Sequence, residues 1–229
     1  MKYEIIIFDA DETLFDFKKA EKKAFKKTII DFGIEYDEDY HFKIYKEINT
    51  TIWKELEDGL ITQKKLKTER FKLLSKELKI KFNEVEFANL FMKHLSQASF
   101  LYEKSEELVK DLTKNYRLTI FTNGLSAVQD NRIKKSILAE YFEDMVVSEE
   151  IGISKPNPKI FQHALKNINY TNKNKILIVG DSLTSDIQGG INFGIDTCWF
   201  NPTRNSNELG IEPTYIISDL MELKEILKK

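Results

Sequence analysis

The chain has 229 residues, with 35 lysines and arginines against 37 aspartates and glutamates, so nearly a third of it is charged while the net charge is only −2. That balance excludes the strongly basic face that a nucleic acid polymer demands. A hydrophobic content of 41% with 12% aromatic residues excludes a disordered acidic chain. A chain of this length buries roughly 70% of its unfolded surface, which fits one domain or one domain carrying a large insert.

Taken in order, the first apolar run is residues 3–8, with Ile5, Ile6, Ile7 and Phe8 stopped by Asp9, Asp11 and Glu12. It is too short for a secretory core, and no later run approaches the ~20 apolar residues of a membrane helix. Residues 16–96 then hold only two glycines, Gly33 and Gly59, and no proline. Apolar residues recur there at helical spacing: Ala20, Phe25, Ile29 and Phe32, then Phe71, Leu74 and Leu78. Thr62 and Asn83 stand where helices begin and the two glycines where helices stop, so the block reads as a bundle of about four helices.

Beyond it, short apolar runs at 118–122, 145–148, 176–180, 197–200 and 215–217 alternate with helical segments. Such alternation predicts an α/β fold, a Rossmann-like, mostly parallel sheet covered on both faces. The expected organisation is therefore an α/β core of residues 1–15 and 97–229, interrupted after its first strand by a helical domain of residues 16–96. Residues 16–95 carry 18 basic and 15 acidic side chains, leaving 17 and 22 elsewhere, so the insert is slightly basic and the core acidic. The lone Cys198 offers no internal disulfide and points to a reducing compartment, the cytoplasm.

Parallel sheets bind ligands beyond the carboxyl ends of their strands, so the residues after each run matter most. The first run is followed by Asp9 and Asp11, and two carboxylates at the mouth of a buried strand repel unless a cation or shared proton compensates. The second ends in Thr122-Asn123-Gly124, a hydroxyl, an amide and a flexible backbone before a helix, suited to an anion. The third leads to Lys155 between Ser154 and Pro156, a stiffened turn that can hold a cation in place. The fourth leads to Gly180-Asp181 and then Asp186. Neither a Walker A loop nor a dinucleotide fingerprint is present. Each feature alone has a bland reading as a turn, a cap or a surface charge, but together they make an oxygen-rich site suited to Mg²⁺ and a phosphoryl group.

In this order the motifs resemble the phosphotransferases of the haloacid dehalogenase (HAD) superfamily. The strings Phe8-Asp9-Ala10-Asp11-Glu12-Thr13-Leu14-Phe15, Thr122-Asn123-Gly124, Ser148-Glu149-Glu150, Lys155-Pro156-Asn157 and Thr197-Cys198-Trp199 look like those of the YjjG-type pyrimidine 5′-nucleotidases. Trp53 and Asp58-Gly59-Leu60-Ile61-Thr62 look like the same group, and the helical insert resembles the family's cap. The resemblance implies Asp9 as nucleophile, Asp11 as general acid and base, and Lys155 as the charge-neutralising catalytic lysine. It implies phosphate binding by Thr122, Asn123 and Lys155, and a metal held by Asp9, Asp11 (through its main-chain carbonyl) and Asp181, with Asp186 in support. The cofactor would be Mg²⁺, with Mn²⁺ as a substitute. Two departures mark this chain: Glu12 stands where many relatives have glycine, and Tyr102-Glu103-Lys104-Ser105 replaces the usual Pro-Gly.

Phe17 and Trp53 are candidates for an aromatic wall against a nucleobase, with core packing as the competing reading. The expected substrate is a nucleoside 5′-monophosphate, with a pyrimidine base that includes non-canonical ones, handled by a monomer or homodimer without a nucleic acid polymer or membrane partner. The alternatives are a sugar-phosphate phosphatase or phosphoglucomutase-like enzyme on the same scaffold, and, in another class, a regulatory protein that binds a phosphate ester without turning it over.

Overall fold

The computed structural model describes residues 1–228, which fold as two compact units: residues 1–17 with 100–228, and residues 18–99. The first strand, β1 (Ile5–Phe8), is fully buried along its whole length. It is followed by α1 (Phe17–Asp31), α2 (Lys43–Glu57), α3 (Gln63–Leu78) and α4 (Glu84–Ser96). The chain then runs through α5 (Ser105–Leu112), β2 (Arg117–Thr122), α6 (Ser126–Arg132), β3 (Asp144–Val147), α7 (Ser148–Ile151) and α8 (Pro158–Asn167). Last come β4 (Ile176–Gly180), α9 (Gln188–Phe193), β5 (Asp196–Phe200), β6 (Tyr215–Ile217) and α10 (Leu223–Leu227).

The six strands form one sheet in the order β3-β2-β1-β4-β5-β6, every pair parallel. Because side chains alternate across a strand, β1 serves two cores. Ile6 and Phe8, with Leu177 and Val179, pack against Leu108 and Leu112 of α5 and Leu223 and Leu227 of α10. Ile5 and Ile7, with Ile176 and Ile178, pack against Ile160, Phe161 and Leu165 of α8 and Phe193 of α9. Successive connections leave β1 toward β2 on one side and β4 on the other, so the direction reverses at the central strand. This is where parallel α/β sheets open a crevice for ligands.

Glu12 adopts φ 64, a left-handed conformation that costs a non-glycine residue roughly 1 kcal/mol. Its carboxylate is held by the Tyr102 hydroxyl at 2.9 Å, and its amide donates to Phe15 O at 2.8 Å. Lys104 also sits at positive φ, 69, before α5. Both departures noted in the sequence thus occupy backbone conformations that glycine adopts freely. The segment that ends at Phe17 is tied to its return strand by Asp16 N to Phe100 O and Tyr102 N to Leu14 O, both 3.0 Å.

The helical unit contains α2, α3, α4 and nearly all of α1. Thr62 and Asn83 cap α3 and α4 by accepting from Lys65 N and from Val85 N and Glu86 N. Its interior is aromatic, with Phe25 stacked on Tyr45 at 4.5 Å and Phe71 against Phe87 and Phe91 at 5.0 and 5.2 Å. One buried carboxylate organises the polar remainder. Glu21 accepts from Tyr45 Oη (3.0 Å), Asn49 Nδ2 (2.9 Å) and Lys46 Nζ (2.8 Å), while Asn49 Oδ1 accepts from Arg70 Nη1 (2.8 Å). The network ties α1 to α2 and α3. Replacing Glu21 with alanine is expected to destabilise the protein by about 3 kcal/mol, because it strands the buried donors Tyr45 Oη and Asn49 Nδ2 on α2. Urea unfolding followed by far-ultraviolet circular dichroism measures it, and a loss below about 0.5 kcal/mol would refute this role.

Candidate active site

The loop ends that follow β1, β2 and β4 and the turn after α7 meet at the carboxyl edge of the sheet. Asp9 extends the ladder by donating its amide to Val179 O at 2.9 Å. Its carboxylate is 7% exposed as a residue, and its Oδ1 lies 2.6 Å from Lys155 Nζ. Lys155 is buried and its ammonium has three partners: Asp9 Oδ1, Asp186 Oδ1 at 2.6 Å and the main-chain oxygen of Phe121 at 2.7 Å. The contacts with Asp9 Oδ1 and Phe121 O are hydrogen bonds, and that with Asp186 is an ion pair.

Asn123 fixes the lysine's backbone from both sides, accepting from Lys155 N at 2.9 Å and donating to Lys155 O at 3.0 Å. Its side chain therefore positions the cation. Thr122 is buried, and its Oγ1 accepts from Gly124 N (3.1 Å) and from Gln129 Nε2 (2.9 Å), which leaves its own O–H as a donor. Asp186 lies on a single π-helical turn, residues Leu183–Ile187, and its Oδ2 accepts from Ser182 N at 3.0 Å. Asp181 follows β4, with its main-chain oxygen held by Trp199 Nε1 at 2.8 Å.

Two glycines make this packing possible. A Cβ on Gly180 would run into the Asp186 carboxylate, and one on Gly124 into the Gln129 amide. Each functional side chain therefore lies in the space that the glycine leaves open.

Oxygen atoms of Asp9, Asp181 and Asp186 lie within 4.8 Å of one another. Three carboxylates against one ammonium leave two negative charges in excess in a buried site. Burial, and then the Asp186 and Asp11 carboxylates, push Asp9 up to about 8 against the opposing pull of Lys155. Burial and the neighbouring Asp9 and Asp186 push Asp181 well above the carboxylate range. Burial alone would lower the Lys155 ammonium, and the Asp186 and Asp9 carboxylates override it and hold it above the ordinary lysine range. An all-oxygen donor set with two excess negative charges fits a hard divalent cation such as Mg²⁺.

The structure brings together Asp9, Asp181, Asp186 and Lys155, with Thr122 and Asn123 at the adjoining strand end. The Asp11 carboxylate lies outside the acidic group, directed instead at Arg132 Nη1 (2.7 Å) and Gln129 Nε2 (2.7 Å). Phe17 is half-buried with its ring 5.0 Å from the Arg132 guanidinium, and Trp53 is half-buried on α2. Gln129 and Arg132 were not singled out from the sequence. The available signal was their i, i+3 spacing on the helix that follows Thr122-Asn123-Gly124.

A family model described as haloacid dehalogenase-like hydrolase matches residues 3–194. The chain is 34% identical to pyrimidine 5′-nucleotidase YjjG of Escherichia coli (strain K12), over all of both chains. It is 33% identical to pyrimidine 5′-nucleotidase PynA of Streptococcus pneumoniae (strain ATCC BAA-255 / R6), covering all of this chain and 97% of the relative. Among solved structures, the magnesium-bound crystal form of YfnB from Bacillus subtilis superposes over the full length of both chains with a TM-score of 0.94 at 34% identity.

The charge excess has a thermodynamic consequence. With Asp9 and Asp181 raised in the folded state, the folded protein binds more protons than the unfolded one from the ordinary carboxylate range up to about 8, so stability falls as pH rises through that window. A hard divalent cation such as Mg²⁺ would bind the ionised form and oppose the fall. The gain in Tm from millimolar Mg²⁺ is therefore expected to be larger at about pH 8 than at about pH 5 by scanning calorimetry. Equal gains at both pH values would contradict the carboxylate excess.

Proposed function

Because the chain belongs to the haloacid dehalogenase-like hydrolases, we propose that this phosphoric monoester hydrolase releases phosphate from nucleoside 5′-monophosphates, pyrimidine nucleotides first, through a phosphorylated Asp9. The observation that carries the reading is the buried Lys155 ammonium bridging Asp9 and Asp186 at the strand edge where Asp181 and Thr122 also end. Full-length similarity to two pyrimidine 5′-nucleotidases supports the substrate class.

Lys155 holds Asp9 Oδ1, leaving Oδ2 as the oxygen that attacks phosphorus in line with the departing ribose 5′-oxygen. Thr122 donates its hydroxyl to a phosphoryl oxygen, and the amide of Asn123 adds a second donor. Lys155 offsets the phosphoryl charge from its fixed position, and Asp186 keeps that ammonium oriented. Asp11 gives its proton to the ribose oxygen as the ester bond breaks, then takes one from the water that hydrolyses the aspartyl-phosphate. Asp9, Asp181 and the main-chain carbonyl of Asp11 would hold Mg²⁺, with Mn²⁺ as a substitute. When bound, that ion supplies positive charge to the phosphoryl oxygens and balances the carboxylate excess.

The residues 18–99 unit corresponds in this reading to the family's helical cap domain, and Phe17 and Trp53 are candidates for contact with the base. Among the described residues no helix is long and apolar enough to cross a membrane, consistent with action on a dissolved small molecule in the cytoplasm. A regulatory protein without turnover is set aside by membership of a hydrolase family.

A phosphate-release panel with Mg²⁺ over UMP, dUMP, dTMP and simple sugar phosphates tests the substrate class. The nucleotides are expected to give kcat/KM values on the order of tenfold or more above the sugar phosphates. Sugar phosphates equal to or above every nucleotide would favour the sugar-phosphatase alternative and end the nucleotide reading.

A further inference from the structure

The Asp11 carboxylate spends both of its oxygens on one helix. Oδ1 accepts from Arg132 Nη1 at 2.7 Å, and Oδ2 accepts from Gln129 Nε2 at 2.7 Å. The two partners are also joined to each other, because Arg132 Nη1 donates to Gln129 Oε1 at 3.0 Å. Gln129 Nε2 makes one further bond, to Thr122 Oγ1 at 2.9 Å. The chemistry fixes which way the Gln129 amide faces. A guanidinium only donates and a carboxylate only accepts, so Oε1 must face Arg132 and Nε2 must face Asp11.

Both residues lie on α6 three positions apart, on one face of the helix. Both are buried, Arg132 at 0% exposure and Gln129 at 1%. The guanidinium is further held by two rings, 5.0 Å from Phe17 and 5.9 Å from Phe15, in the segment that follows Asp11. Gly124 supplies an independent mark of construction, since any Cβ there would displace the Gln129 amide. Long polar side chains lose considerable rotamer freedom when buried. Here four separate contacts fix them around a carboxylate that Lys155 does not touch.

We propose that Gln129 and Arg132 are positioning residues for Asp11. Gln129, bonded at once to Asp11 and Thr122, fixes the proton-transfer carboxylate relative to the hydroxyl that seats the phosphoryl group. Arg132 braces both against the Phe15–Phe17 segment. The inference rests on the reading of Asp11 as the proton donor to the leaving group.

The test compares kcat/KM for UMP, whose alkoxide leaving group needs a proton, with that for p-nitrophenyl phosphate, whose leaving group does not. This parameter reports the steps up to leaving-group departure, apart from the later hydrolysis of the aspartyl-phosphate. Arg132→Lys keeps the charge and loses the fork, and Gln129→Met keeps the length and loses the amide. Each is expected to lower the UMP to p-nitrophenyl phosphate ratio on the order of tenfold. In an Asp11→Asn background neither is expected to lower it further, because the coupling acts through Asp11.

Thermal midpoints identify any variant that fails to fold, and with two variants on separate contacts either one suffices. Equal losses on both substrates, or ratio losses that multiply in the Asp11→Asn background, would overturn the inference while leaving the proposed function standing. An Asp11→Asn ratio equal to that of the unsubstituted protein would overturn the role of Asp11 and the inference with it.

Discussion

A buried lysine shared between two carboxylates governs this site. Lys155 sits between Asp9 and Asp186 at 2.6 Å from each, away from water. A buried ion pair is stabilising only when its geometry and hydrogen bonds are complete. The ammonium donates to Asp9 Oδ1 and to Phe121 O. With Asp181 added the balance tips to two excess negative charges when all three carboxylates are ionised, a field that a divalent cation would relieve.

The surrounding architecture serves that arrangement. The central strand is where connections diverge to the two sides of the sheet, so Asp9 emerges between the ends of β2 and β4. The second strand end contributes Asn123, which brackets the lysine's peptide group, and the fourth contributes Asp181 and the turn that carries Asp186. Gly180 and Gly124 leave space for Asp186 and Gln129. Each catalytic candidate is thus held by a neighbour on a different strand, which gives a rigid site even though its residues are distant in the chain.

Much of this was legible in the sequence because the signals were local. Residues 3–8 and 176–180 read as buried strands because both faces of a parallel sheet are covered, so they are apolar without alternation. Thr62 and Asn83 read as caps because their side chains can satisfy amides two or three residues on, and they do. What escaped notice depends on pairings between distant residues. Asn123 is placed with the phosphate ligands by its position after Thr122, and only the folded chain adds that its side chain closes on Lys155, 32 residues later. Arg132 was not singled out, because nothing local to its helix marks it as buried. Only the folded chain shows it buried against Phe15 and Phe17 and paired with Asp11, 121 residues earlier. Glu21 was likewise not singled out, and its partners Tyr45, Lys46 and Asn49 all arrive from the next helix.

In the proposed reaction Asp9 becomes phosphorylated. Acid-quenching the protein during turnover of a nucleoside monophosphate with Mg²⁺, reducing it with borohydride and mapping its peptides by mass spectrometry tests this directly. An aspartyl-phosphate is reduced to homoserine, so the account predicts homoserine at position 9 and at no other aspartate, absent when substrate is withheld. Sustained phosphate release with position 9 remaining aspartate would contradict it.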